Sequence, residues 1–210
     1  MLENKKGLNG MNDKFDNIKF KSAEYWEERY SQGGNSGNGS YGHLAEFKAE
    51  VINSFIEKHE IKSLIEWGCG DGNQLGAFCC DEYVGYDVSE TAVEICREKY
   101  MHDEKKHFVH YSGDRTVVHE KADMALSLDV IYHLIEDDVF ETYMHNLFTS
   151  SGRWVCIYSS NEDRRTALHV KRRKFTDYVD ERFSEWKLEK VVKQKYPEDT
   201  RSDFYFYVLK

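Results

Sequence analysis

A run of glycines between two acidic residues is the part of this sequence best suited to chemistry. Residues 65–75 read IEWGCGDGNQL, so glycines at 68, 70 and 72 follow Glu66 at the end of a short apolar run. Glycines there allow a tight strand-to-helix turn and let a ligand approach the backbone closely, and the helix expected after the turn would point free N–H groups at that ligand. Asp87 closes the next apolar run, 21 residues after Glu66, where a carboxylate can accept both hydroxyls of a ribose. The pattern predicts a nucleoside site; the alternative for Asp87 is a simple helix cap.

The glycine spacing separates two classes of ligand. A dinucleotide loop has the spacing G-x-G-x-x-G/A, because the pyrophosphate lies on the helix N-terminus. Here the third glycine comes one residue early, and Asn73 stands in its place. Glu66 is also unfavourable beside a diphosphate and favourable beside an ammonium group. An NAD-dependent oxidoreductase is therefore the less favoured alternative.

Alternating apolar patterns predict the elements that position these residues. Strand-like apolar runs lie at 63–67, 83–86, 108–111, 122–128 and 154–158. Apolar residues recur at helical spacing in 44–59, 89–100 and 137–148. Strands that alternate with helices indicate an α/β fold with a mostly parallel sheet covered on both faces. Two further runs, 186–195 and 203–209, predict an antiparallel closing pair.

The N-terminal region divides into three parts. Residues 1–20 are polar and are predicted to form a flexible leader. Residues 21–210 are predicted to form a single domain. Ser22 is expected to cap a short first helix. The glycine-rich segment 33–42 is either a lid or a surface connection. Together, 21–43 would form the N-terminal helix and lid of the domain.

Composition excludes several functions. The chain has 210 residues, 29 Lys and Arg against 38 Asp and Glu, and a formal charge of −9, which is unlike a protein with a broad basic face for duplex nucleic acid. No apolar stretch reaches the roughly 18 residues of a membrane span, and the start lacks a signal-peptide segment, so we expect a cytoplasmic protein. The five cysteines lack the paired spacing of a zinc site, and no metal is expected.

The glycine pattern, Asp87 and residues 122–134 (ADMALSLDVIYHL) together resemble class I S-adenosylmethionine-dependent methyltransferases. The resemblance implies a Rossmann-like, seven-stranded sheet with an antiparallel C-terminal strand, and S-adenosylmethionine as the cofactor. It also implies cofactor contacts from the first helix, the glycine loop and the ends of the second and fourth strands: Tyr25, Trp26, Arg29, Glu66, Gly68, Cys69, Gly70, Asn73, Gln74, Asp87, Val88, Leu128 and Asp129. Asp114 is expected near the adenine. A module that binds the cofactor without catalysis is a further alternative.

Residues after the fourth and fifth strands are expected at the methyl acceptor. Asp129, Tyr132 and His133 are the predicted catalytic residues, with His133 as the general base or, alternatively, as a structural hydrogen-bonding residue. Residues 164–174 carry six positive charges in eleven positions. They predict either a solvated face or an anion clamp, and the predicted acceptor-binding residues are Arg164, Arg165, His169, Arg172 and Arg173.

A narrower resemblance concerns the acceptor. Residues 25–30 (YWEERY), the 33–42 loop, residues 46–49 (EFKA) and the 169–175 run resemble small bacterial methyltransferases of surface-polysaccharide biosynthesis, especially those of capsules that carry O-methyl phosphoramidate. This implies O-methylation of a small anionic, sugar-linked or nucleotide-linked acceptor, and a first helix and glycine loop that fold over the cofactor. N-methylation of a small metabolite is the alternative.

Overall fold

The computed structural model describes residues 19–116, 118 and 120–210. The predicted leader, residues 1–20, lies outside the described residues except for its last two. Within the described part of the chain, no helix is both long enough and apolar enough to cross a lipid bilayer.

Seven strands form one sheet, as the sequence predicts. They are β1 (Ser63–Trp67), β2 (Glu82–Asp87), β3 (Lys106–His110), β4 (Ala122–Leu128), β5 (Ser151–Ser159), β8 (Trp186–Val192) and β9 (Asp203–Leu209). Their order is β3-β2-β1-β4-β5-β9-β8. Ile65 of β1 pairs in parallel with both Val84 and Ala125, whereas β9 runs antiparallel to β5 and to β8. The predicted fold class, with one antiparallel C-terminal strand, is confirmed.

Helices cover both faces of the sheet. They are α1 (Ser22–Ser31), α2 (Gly42–His59), α3 (Glu90–Lys99), α4 (Asp137–Thr149) and α5 (Phe175–Arg182). Helices α2 and α3 bury Ile52 and Val93 against one face, and α4 and α5 bury Met144 and Val179 against the other. Strand β1 alternates between the two cores, since Leu64 packs on the first side and Ile65 on the second.

The topology places a crevice beside β1. The chain runs from β1 to β2 on one side and later places β4 on the other side of β1. In sheets of this kind ligands bind beyond the carboxyl ends of the strands at such a switch point. The ends of β1, β2 and β4 carry the glycine loop, Asp87 and Asp129.

Three local expectations need correction. Ser22 is the first helical residue of α1 and does not cap it, because its hydroxyl lies 2.6 Å from Glu136 Oε2 instead. The glycine loop leads into a single 3-10 turn, Gln74–Ala77, where the sequence predicted a regular helix. The basic run 164–174 forms a hairpin of β6 (Arg164–Ala167) and β7 (Val170–Arg172) that the sequence did not predict.

Candidate functional site

A cavity of about 400 Å³ opens at the carboxyl ends of β1, β2 and β4. Its floor includes Gly68 and Gly70 of the glycine loop, Asp87 from β2, and Leu128 and Asp129 from β4. Helix α1 and the start of α4 form its other sides. The structure therefore brings together at one cavity residues from the three separate segments that the sequence singled out.

The glycine loop is shaped so that side chains are excluded. Gly68 and Gly70 have φ angles of +78° and +55°, a region that favours glycine. A Cβ at Gly68 would lie 2.5 Å from Val130 Cγ2, and one at Gly70 would collide with Ser36 Oγ and lie 2.7 Å from the Tyr30 hydroxyl. The loop is thus closed on one side by its own neighbours, and its backbone faces the cavity on the other.

Asp87 lies between the glycine loop and α3, and it does not cap that helix, because Ser89 is the N-cap residue and its hydroxyl accepts the Ala92 N–H. Its Oδ2 accepts the Gly70 N–H at 2.8 Å, and its Oδ1 accepts the Ser89 N–H at 2.9 Å at the start of α3. The side chain also borders the cavity. Burial raises the pKa of this carboxyl above its ordinary value. Asp87 therefore ties the glycine loop to α3 and presents a buried carboxyl to a ligand.

The turn after β4 is held by a buried ion pair. Asp129 has a φ of +61°, unusual for a residue with a side chain. Its Oδ2 lies 2.7 Å from Lys48 Nζ, and its Oδ1 accepts hydroxyls from Tyr132 at 2.8 Å and Ser202 at 3.2 Å. Tyr132 does not border the cavity. Both carboxylate oxygens already have donors, which makes Asp129 better suited to positioning than to proton transfer.

His133 is the basic side chain that this turn presents to the cavity. Its Nδ1 lies 2.8 Å from the His169 carbonyl oxygen, and a carbonyl can only accept, so Nδ1 carries the proton and Nε2 a lone pair. The ring stacks on His169 at 5.6 Å and meets Trp26 edge-on at 5.0 Å. Burial lowers the pKa of His133 to about 4, so the imidazole is neutral at physiological pH.

Helix α1 and the segment after it are docked on the glycine loop through Asp71. Its Oδ2 accepts the Ser36 N–H at 2.9 Å and the Tyr41 hydroxyl at 2.7 Å. Burial alone would raise the pKa of Asp71, but hydrogen bonds from Ser36, Tyr41 and Asn73 outweigh it and lower the pKa. Asp71 was not predicted from the sequence, where its one signal is its place between two glycines.

A second contact holds α1 against α3. Glu27 Oε2 accepts the Ser89 hydroxyl at 2.7 Å, and Oε1 accepts the Thr91 hydroxyl at 2.5 Å. Hydrogen bonds from these two residues lower the pKa of Glu27. Helix α1 is therefore fixed at Glu27 as well as through Ser36, and covers the cavity between them.

The predicted cofactor residues fall into two groups. Those that border the cavity are Trp26, Gly68, Cys69, Gly70, Gln74, Asp87, Val88, Leu128 and Asp129, together with Asp114. Four others lie outside its wall. Tyr25 stacks on His169 at 5.2 Å, Arg29 donates to the Asn35 carbonyl at 2.7 Å, Glu66 accepts the Tyr83 hydroxyl at 2.5 Å, and Asn73 donates to the Ser40 carbonyl at 2.8 Å.

The five predicted acceptor-binding residues all lie outside the cavity wall. Arg173 donates to the Leu134 carbonyl at 2.6 Å and to Asp137 at 2.7 Å, at the start of α4. Arg172 pairs with Glu162 at 3.3 Å. His169 lies at the hairpin tip against His133, and Arg164 and Arg165 lie on β6. The basic run thus fastens the hairpin to the fold and does not converge on the cavity.

Metal chemistry has no visible site in the described residues. Across 19–116, 118 and 120–210, no three His, Cys, Asp or Glu side chains are grouped so that they could hold a metal ion.

Part of the chain matches a known domain family. Residues 65–156 match the family described as "Methyltransferase domain", Methyltransf_11, a region of fewer than half of the residues. It includes the glycine loop, Asp87 and the turn with His133. No curated protein sequence matches the chain.

Solved structures share the fold at low sequence identity. The N-methyltransferase NodS from Bradyrhizobium japonicum, in complex with S-adenosyl-L-homocysteine, has a TM-score of 0.69 at 11% identity, over 90% of this chain and 99% of that one. Magnesium protoporphyrin IX methyltransferase (ChlM) from Synechocystis, with bound S-adenosylmethionine, has 0.62 at 13%, over 92% and 100%. The methyltransferase domain of bacterial CtHen1 has 0.63 at 15%, over 80% and 100%.

Proposed function

We propose that this class I S-adenosylmethionine-dependent methyltransferase methylates a hydroxyl of a small, polar, sugar-containing acceptor, and that His133 is the general base. The hydrogen bond from His133 Nδ1 to the His169 carbonyl carries the proposal. It directs the proton to Nδ1 and leaves Nε2 able to accept one in the cavity wall.

The cavity fits the cofactor in shape and donor set. Gly68 and Gly70 border the cavity without side chains of their own, and the Asp87 carboxyl at the cavity wall would accept the ribose hydroxyls. Gln74 Oε1 is buried without a hydrogen-bond partner and can accept from an ammonium group. The bound cofactor supplies a methyl group on a positively charged sulfur, which is already activated for in-line displacement.

His133 then has one task. A hydroxyl becomes a strong nucleophile as it loses its proton, and an imidazole within hydrogen-bonding reach can take that proton while the new O–C bond forms. Because burial lowers its pKa to about 4, His133 is unprotonated and available from about pH 5 upward. The remaining work of the protein is to align donor and acceptor and to exclude water.

The charges of the wall favour an uncharged acceptor group. The cavity is bordered by six carboxyl side chains, Glu24, Asp87, Asp114, Asp129, Glu136 and Asp138, and by the ammonium group of Lys21. Of the basic residues predicted to clamp an anion, Arg172 pairs with Glu162 and Arg173 with Asp137, both outside the cavity wall. Of the acceptors implied by the resemblance to surface-polysaccharide methyltransferases, a sugar hydroxyl therefore fits this wall better than an anionic phosphoramidate oxygen.

We further propose that residues 21–43 act as a lid. Hydrogen bonds from Ser89 and Thr91 to Glu27, and from Ser36 to Asp71, support this role, because they hold α1 over the cavity. The lid would exclude water during transfer and open for exchange of cofactor and product.

The test uses His133→Gln, with the exposed His102→Gln as the matched control. Both variants are incubated with S-adenosylmethionine and a fraction of sugar-containing capsule precursors, and a mass gain of one methyl group is recorded. We expect kcat of His133→Gln to fall by roughly 10²- to 10⁴-fold, with S-adenosylhomocysteine affinity unchanged and no change for His102→Gln. An unaffected kcat would refute His133 as the base, and a methylated amine would refute the hydroxyl acceptor.

A further inference from the structure

Helix α2 contributes a lysine that is removed completely from solvent. The Lys48 side chain is 0% exposed, its Nζ lies 2.7 Å from Asp129 Oδ2, and it stands 5.1 Å from the centre of the Tyr158 ring. A buried ammonium group is costly unless a partner compensates it. Here the partner is Asp129, which borders the cavity, so Lys48 lies directly behind the wall of the proposed active site.

The Lys48–Asp129 pair joins four parts of the fold. Lys48 comes from α2, Asp129 follows β4, Tyr158 belongs to β5, and Ser202, which donates to Asp129, precedes β9. Lys48 and Asp129 are 81 residues apart in sequence. The pair can therefore form only when the fold is complete, and it reports on the relative position of these elements.

Because the ion pair fixes Asp129, it also restrains the turn formed by the residues after Asp129. Its φ of +61° is unfavourable for a residue with a side chain, so neighbouring contacts must hold it. The Tyr132 hydroxyl donates to Asp129 Oδ1 at 2.8 Å, which closes the turn on itself. His133 is the next residue, within the 3-10 turn Ile131–His133.

The proposed lid, residues 21–43, also lies close to the Lys48–Asp129 pair. A Cβ at Gly39 would lie 2.8 Å from Asp129 Oδ2, so the segment between α1 and α2 approaches the carboxylate as closely as a glycine allows. Ser40, the next residue, borders the cavity.

We propose that Lys48 is a positioning residue: through Asp129 and Tyr132 it fixes the turn that presents His133 Nε2 to the cavity. The proposal rests on the function proposed above, in which His133 accepts the proton. The competing explanation is that Lys48 only balances the charge of Asp129. The two differ in what happens when both charges are removed together.

The experiment compares Lys48→Met, Asp129→Asn and the double variant Lys48→Met/Asp129→Asn. The single variants each leave one buried charge without its partner, so both are expected to unfold at lower temperature. The double variant removes both charges and should regain most of that loss. We expect its kcat to remain at least 30-fold lower than that of the wild type. A double variant with kcat within threefold of the wild type would show that the pair serves charge balance alone.

A second measurement separates this proposal from the role of His133 itself. The ¹⁵N NMR signals of His133 in the S-adenosylhomocysteine complex report its tautomer without any turnover. We expect an Nδ1-protonated ring in the wild type and a mixture of tautomers in the double variant. If His133→Gln keeps its activity, the base assignment fails and the NMR signals alone decide on Lys48. An unchanged His133 signal in the double variant overturns the positioning role in either case.

Discussion

Glu66 allows a direct test of whether the acidic residue of the glycine motif binds the cofactor or stabilises the fold. It is 2% exposed, and its Oε2 accepts the Tyr83 hydroxyl at 2.5 Å. Burial raises the pKa of Glu66 to about 7, from an ordinary value of 4.5. Glutamine at this position keeps an oxygen for Tyr83 but cannot ionise, so Glu66→Gln isolates the cost of the buried charge.

The size and sign of the effect follow from the pKa. Because the pKa is higher in the folded protein, Glu66 favours folding most below pH 4.5, and this contribution is lost as the pH rises through about 7. The full loss is roughly 3 kcal/mol, from about 1.36 kcal/mol for each pH unit between the two pKa values. The variant should therefore gain stability over the wild type as the pH rises, by up to that amount at pH 8.5.

Urea unfolding from pH 5 to 8.5 measures this difference. Comparison with the wild type at each pH is essential, since the lowered pKa of His133 changes stability in the opposite sense, with stability lost as the pH falls from 6.5 through about 4. Exposed Glu57→Gln on α2 is the control and should show no such trend. A difference that is independent of pH would refute the buried-charge argument, and a tenfold loss of S-adenosylhomocysteine affinity would restore Glu66 as a cofactor ligand.

Three other substitutions test the site. Asp87→Ala should weaken S-adenosylhomocysteine binding at least 30-fold by calorimetry, because the ribose loses its carboxylate; retained affinity would place the ribose elsewhere. Gly70→Ala should weaken it at least tenfold, because the new Cβ collides with Ser36 Oγ; unchanged affinity would contradict the docked lid. Arg173→Ala should lower Tm without changing acceptor KM, whereas exposed Arg164→Ala should leave both unchanged; a raised KM at an unchanged Tm would support the anion clamp.

The sheet was predictable because its strands are short apolar runs with polar ends. β1 and β4 have the bounds that the sequence predicts, since each is buried on both faces. The hairpin of β6 and β7 was not predictable in this way, because its residues are mostly exposed or half-buried and leave no apolar pattern. Helix α5 is eight residues long and buries only Phe175 and Val179, which is too few apolar positions to define a period.

The first helix shows why the site was predicted only in part. Trp26 and Tyr30 are four residues apart, and so are Tyr25 and Arg29, which places one pair on each of two adjacent stripes. Trp26 and Tyr30 border the cavity, while Tyr25 and Arg29 face outward. Spacing alone cannot say which stripe faces inward, because that is decided by the docking of Glu27 and Ser36. The ion pair of Lys48 could not be predicted from spacing either, because its partner Asp129 lies 81 residues away in the sequence.

The distribution of charge explains why the basic run does not define the acceptor. Lys171 and Arg173 both pair with Asp137, and Arg172 pairs with Glu162, so these three cations contact two carboxylates where the hairpin meets the fold. The cavity wall, with six carboxyl groups and Lys21, has the opposite character. S-adenosylmethionine carries a sulfonium and an ammonium against one carboxylate, whereas its product lacks the sulfonium charge. This charge difference favours the methyl donor over the spent product at the cavity wall, and it supports the proposal of an uncharged hydroxyl acceptor over an anionic one.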